Sequence, residues 1–163
     1  MSTPSCLACA FHEEWIVPAR LSVARAEPAD VVGPVLHKPD FFFTFTPSRT
    51  LLFHFSALTF NAHAIHLDRQ FCREIEGHRD LLVHGPLSLA LLLAALESQL
   101  GSGEDVRQID YRNLAPLYAG EPMKVCVRRN GDAGDPDSSW DVWAEGPAGG
   151  LAVRGTARTS ART

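Results

Sequence analysis

Between Ser56 and Asp68 the chain reads SALTFNAHAIHLD, which gathers Asn61, His63, His66 and Asp68 within eight residues among apolar neighbours. Histidine has an ordinary pKa of about 6.5, so it can take and give a proton near neutral pH. Downstream, His84-Gly85 opens the run HGPLSLALLLAALESQL, read as an apolar helix. The first turn of a helix leaves backbone N–H groups without helical partners and carries a partial positive charge. A polar cluster leading to such an N-terminus suits a site that holds a carbonyl and moves a proton. Each residue also has a plainer use. His66 and His84 could cap a turn or a helix, Asn61 could form a turn, His63 could brace the loop, and Gly85 could allow tight packing.

The elements that must position these groups follow from periodicity and punctuation. Residues 1–39 hold five prolines and no sustained period, which predicts an irregular arm. Phe41-Phe42-Phe43-Thr44-Phe45 is a compact aromatic run and predicts a strand. Thr46-Pro47 reads as an N-cap followed by a proline at the first helical position, opening a helix over about 48–58. Asp68 is placed to cap a short helix that runs to Ile75 and is closed by Gly77. The helix after Pro86 is apolar on nearly every face, so it is expected to be enclosed on all sides. Four strand-like segments come next, at 106–113, 123–127, 140–144 and 151–158, separated by Gly- and Pro-rich turns. A sheet wrapped around the long helix satisfies this order. Phe53 and Phe55 are expected in the core, with the wall of a ligand tunnel as the alternative place for one of them, and Cys72 and Cys126 as buried thiols.

Composition narrows the function. The chain has 163 residues, 45% hydrophobic and 21% charged, which is the balance of a globular domain. A net charge of −4 and a pI near 5.9 argue against nucleic-acid binding. The longest apolar run is too short for a membrane span, and Glu13 and Glu14 interrupt the N-terminal segment where a secretory signal would lie. An intracellular, soluble protein is expected, cytoplasmic by default with a mitochondrial address left open. Cys6 and Cys9 with His12 have the spacing of half a zinc site, but no second pair follows, and a frayed terminal segment is the stronger reading. No metal is expected.

Taken together, FNAHAIHLD over 60–68, its SALTFN…IH setting, VHGPL and RNLAPLYAGEPM resemble a known family. The family is the MaoC-like (R)-specific enoyl-thioester hydratases and dehydratases, whose signature runs Gly-Asp-x-Asn-Pro-(Ile/Leu)-His-x-Asp. The likeness covers about 41–159 and is greatest to the 3-hydroxyacyl-thioester dehydratases and mesaconyl-CoA hydratases. It implies an α+β fold, a single hot dog over 40–163 in which an antiparallel sheet wraps a long central helix. It places His66 on the catalytic histidine, Asn61 on the position of the usual catalytic aspartate, and His63 on that of an asparagine. Gly85 falls where a backbone N–H binds the thioester carbonyl, with His84 beside it as a further lining residue. The implied reaction is reversible hydration and dehydration of an acyl thioester on coenzyme A or an acyl carrier protein. It needs no cofactor, and a homodimer is expected. Asparagine cannot accept a proton, so acid and base work would fall to His66, with Asn61 orienting the hydroxyl or water. A hot-dog thioesterase or isomerase, and a non-catalytic acyl-thioester binding module, are the competing readings. Hydrolysis would need a carboxylate or activated water near Gly85, and Glu97 stands far along the helix.

Overall fold

The aromatic run forms the first strand, β1 (Phe41–Phe45), with alternating partly buried and exposed side chains. It belongs to a computed structural model in which residues 38–131 and 138–162 are described. The arm expected over 1–39, with Cys6, Cys9 and His12, lies outside the described residues except for its last two positions. Helix α1 (Arg49–Thr59) follows, capped by Ser48, whose hydroxyl accepts from the Leu51 N–H. The cap is therefore Ser48 and not Thr46. Pro47 precedes the helix and its carbonyl accepts a hydrogen bond from Gly120. A short 3₁₀ turn (Ala64–His66) leads to α2 (Arg69–Glu74), where the Asp68 carboxylate accepts from the N–H groups of Gln70 and Phe71, as expected. Gly77 lies just beyond with φ 74°, the left-handed region that glycine enters without steric cost.

Helix α3 (Gly85–Glu97) is succeeded by β2 (Glu104–Asn113), β3 (Met123–Asn130), β4 (Ser139–Glu145) and β5 (Leu151–Ala161). The five strands form one antiparallel sheet in the order β1-β3-β4-β5-β2. Consecutive strands β3, β4 and β5 make a meander, while β1 and β2, which the helices separate in the chain, take its two edges. Strand residues of period two, among them Val125, Val127, Val142, Ala144, Val153 and Ala157, bury one face of the sheet. Leu87, Leu92, Ala95 and Leu96 of α3 join them in the core. Cys72 and Cys126 are buried free thiols.

The expectation that α3 would be enclosed on all sides needs correction. Pro86, Ala90, Ala94 and Glu97 are exposed, and Leu89, Leu91 and Leu93 are only half-buried. One five-stranded sheet curls over one side of a helix, and the far side keeps an apolar stripe at helical spacing. Phe53 also departs from expectation: it is 59% exposed, because α1 buries the Leu52 and Ser56 side of its circumference.

Candidate active site

The segment Leu81–Val83 positions the site. Val83 N–H donates to Leu117 and Ala119 N–H donates to Leu81, which fixes the segment against the stretch before β3. On the other side, Leu82 N–H donates to the Ile65 carbonyl at 2.9 Å. The His66 Nδ1–H donates to the Leu82 carbonyl, also at 2.9 Å. A carbonyl can only accept, so the hydrogen of neutral His66 sits on Nδ1 and its Nε2 carries a lone pair. These reciprocal bonds hold the 3₁₀ turn bearing His66 beside the residues that lead into α3.

His66 is 8% exposed and His84, the N-cap residue of α3, has no exposed surface. Their rings stack with centroids 3.6 Å apart and planes tilted by 20°. The stack sets His66 against the N-cap residue of α3. His84 Nε2 lies 2.8 Å from the buried hydroxyl of Ser56 on α1, and Phe55 packs 5.0 Å from the His84 ring centroid. Burial holds the His66 imidazole below its ordinary pKa, opposed by its bond to Leu82 and reinforced by His63. Burial, with His66 adding to it, pushes His84 down to about 4. Both rings are therefore neutral at pH 7, and His66 is in the form a base requires.

The remaining expected residues surround this pair. Asn61 follows Phe60, a non-glycine residue held at φ 53° and 94% exposed. That left-handed residue ends α1 and turns the chain toward the histidine. The Asn61 Oδ1 accepts from the His63 N–H at 3.1 Å, and its amide N–H₂ has no partner among the described residues. His63 is exposed, and its Nδ1 caps the 3₁₀ turn by accepting from the Ile65 N–H. Its bracing role is thus on display, with its ring centroid 6.3 Å from that of His66. Among the described residues the Gly85 N–H has no hydrogen-bond partner. Pro86 behind it contributes no N–H, so Gly85 is the outermost donor of the helix. His84 has no side-chain bond to the helix N-terminus and reaches back to Ser56 instead.

Two further residues belong to this neighbourhood and were not singled out from the sequence. Ser56 is a polar residue in the buried stripe Leu52–Ser56, an i, i+4 pair, and that misfit was the available signal. Asn113 ends β2 and puts its Nδ2 2.6 Å from where a Cβ on Gly85 would stand. Only the sheet topology brings it there. No cluster of three or more His, Cys, Asp or Glu side chains suited to a metal occurs among the described residues. Glu97 stands twelve residues along α3 from Gly85, about 18 Å at 1.5 Å per residue, too far to serve a reaction at the helix mouth.

A base with a free lone pair, an amide donor and an unpaired helix N–H can together move a proton next to a polarised carbonyl. The comparisons agree with that chemistry. Mesaconyl-C(4)-CoA hydratase of Chloroflexus aurantiacus is 35% identical over 148 residues, spanning 91% of this chain and 50% of that protein. A mitochondrial hydroxyacyl-thioester dehydratase type 2 of Schizosaccharomyces pombe is 28% identical over 58% of this chain and 32% of its own length. The chain thus spans half or less of the length of these curated relatives. The (R)-hydratase of A. caviae involved in PHA biosynthesis superposes with a TM-score of 0.67 at 22% identity, covering 74% of this chain and 92% of that one. That likeness establishes the shared hot-dog fold. Because the family model for hydroxyacyl-thioester dehydratase type 2 matches residues 13–119, the chain belongs to that family.

Proposed function

We infer that this chain is a catalytic hot-dog unit of a hydro-lyase that interconverts a 3-hydroxyacyl thioester and the corresponding 2-enoyl thioester plus water. The observation that carries the reading is the His66 ring, neutral, with Nδ1–H committed to Leu82, Nε2 without a hydrogen-bond partner among the described residues, and its face stacked on the N-cap residue of α3. In the dehydration direction Nε2 takes the proton from C2, the C2–C3 double bond forms, and the C3–O bond breaks. The imidazolium returns its proton to the departing hydroxyl, which leaves as water. In hydration, Nε2 takes a proton from water as its oxygen joins C3, and the imidazolium delivers that proton to C2. The Gly85 N–H receives the charge that builds on the thioester oxygen, and the Asn61 amide donates to the hydroxyl or water oxygen. Proton transfers of this kind call for no metal or redox cofactor.

The acyl group rides on coenzyme A or an acyl carrier protein. Coenzyme A is the carrier named for the Chloroflexus relative, and the family name speaks only of a thioester. The exposed stripe of α3 supports a homodimer, in which a second copy would cover the apolar side that one sheet leaves open. No described helix is long and apolar enough to cross a membrane. An intracellular compartment holding acyl thioesters, cytoplasmic or mitochondrial, fits the reading.

The test is ultraviolet absorbance of trans-2-enoyl-CoA substrates with wild type and His66→Ala. Wild type should bleach the enone, and the variant should be slower by about 10²–10⁴, the usual contribution of a general acid–base group. Equal rates in both proteins would remove His66 as the base. No bleaching with any chain length would favour a binding module.

A further inference from the structure

We propose that His84, held by the Ser56 hydroxyl, is a positioning residue for His66, a second imidazole locked behind the base to fix its ring plane. This rests on the assignment of His66 as the base and goes beyond it by giving a function to a buried pair that the reaction does not touch.

One hydrogen bond, from Nδ1 to Leu82, anchors a single atom of the His66 ring and leaves its plane free to rock. The stacked His84 ring at 3.6 Å removes that freedom, provided that it is itself fixed. It is fixed on two sides, by Ser56 at 2.8 Å and by Phe55 against its ring. The His84 Nδ1 is buried without a hydrogen-bond partner. An orphaned buried N–H is rarer and costlier than an orphaned lone pair, so the hydrogen of His84 belongs on Nε2 and is donated to Ser56. Protonating Nδ1 would place a charged N–H in a dry pocket without an acceptor, which keeps the ring neutral.

The groups facing the two rings are few. From α1 come Phe55 and Ser56, from the cap of the 3₁₀ turn His63, and from α3 Ser88, whose hydroxyl meets the His84 carbonyl at 3.4 Å. On α2, Cys72 donates its thiol to the Ile65 carbonyl, and burial raises that thiol's pKa, so it is uncharged. None of the described carboxylates hydrogen-bonds to either ring. With no anion to hold it, the alignment of His66 depends on packing against His84.

Two variants probe the arrangement in the full chain. Ser56→Ala removes the acceptor and changes little volume, while Ser56→Thr restores a hydroxyl. The ring of His66 is followed by NMR titration, without substrate, and turnover is measured on 2-enoyl-CoA. Ser56→Ala should lower kcat by about ten-fold with KM nearly unchanged, since misalignment of a base penalises the reaction more than binding. It should also move the His66 titration upward, toward the ordinary value, as a loosened stack admits water. Ser56→Thr should recover both. If Ser56→Ala does not fold, His84→Phe keeps the ring and its bulk but cannot be held by Ser56, and it should show the same two changes. An unaltered His66 titration together with unaltered kcat, in whichever of these variants folds, overturns the proposal. The titration needs no turnover. A shifted titration in a protein with no hydratase activity would leave the positioning role standing and sink the hydratase reading.

Discussion

The sharpest separation of function from stability lies at Gly85. A Cβ at this position would stand 2.6 Å from Nδ2 of Asn113, with the Asn113 Cγ and Oδ1 at 3.5 and 3.7 Å. The offending atom is the far end of an exposed, flexible side chain, so the clash is relieved by an off-rotamer Asn113 at about 0.5–1.5 kcal/mol. Replacing a helical glycine by alanine returns about 0.4–1 kcal/mol by restricting the unfolded chain. The two nearly cancel, and Gly85→Ala should change Tm by less than about 4 °C. Function should respond differently. The new methyl and the displaced amide crowd the N–H at the outermost position of α3, the donor proposed for the thioester oxygen. Losing one preorganised donor of this kind costs about 2.7–4 kcal/mol, or roughly 10²–10³ in kcat. The assay is enone absorbance against 2-enoyl-CoA, with Tm measured on the same preparation. A variant with wild-type kcat/KM and wild-type Tm would refute the placement of the carbonyl at Gly85. Adding Asn113→Gly removes the obstructing amide and should recover part of the loss.

Further outcomes follow from the histidines and one cap. His84 is held at about 4 in the folded state against 6.5 unfolded, so the unfolded chain binds its proton first. Its contribution is fully present above pH 6.5 and is lost as pH falls toward 4, by about 3 kcal/mol at about 1.4 per unit. Urea melts at pH 7 and pH 4.5 should show the loss, and it should shrink in His84→Phe. Asp68→Ala orphans the N–H groups of Gln70 and Phe71 and should lower stability by about 1 kcal/mol in the same melts. Asn61→Asp sets a carboxylate one short turn from His66, which favours the imidazolium. The acidic limb of kcat/KM should then move to higher pH, and a limb that stays in place would separate residue 61 from the base.

The order of elements was legible because each carries a local signal. The Phe41–Phe45 run, the Asp68 cap and the apolar α3 announced themselves through composition and punctuation. The cap of α1 was misplaced by two residues because Thr46-Pro47 imitates one, while Ser48 supplies the oxygen that the Leu51 N–H meets. The enclosure of α3 was overread for a different reason. Hydropathy reports that a face avoids water, not whether this chain or another covers it. At the site, the 61–66 motif and Gly85 were visible as a pattern. Ser56 and Asn113 were not, since their value comes from contacts across 28 residues each, to His84 and to Gly85, that only the folded chain creates.

Asn61 in place of a carboxylate and the buried His84 are two halves of one electrostatic arrangement. A carboxylate beside His66 would stabilise the imidazolium and raise its pKa, which would leave less free base at neutral pH. In this chain residue 61 is uncharged and burial works in the opposite direction, so His66 stays neutral. The same choice removes the anion that would otherwise orient the ring. Orientation then has to come from uncharged contacts, namely the Leu82 carbonyl at one edge and the His84 face at 3.6 Å. Neutral hydrogen bonds and stacking are individually weak, but between two buried rings they face little competition from solvent. A base kept uncharged by burial and aligned by uncharged neighbours is therefore self-consistent, and it explains why two imidazoles are buried face to face with a serine hydroxyl as the polar partner of the inner ring.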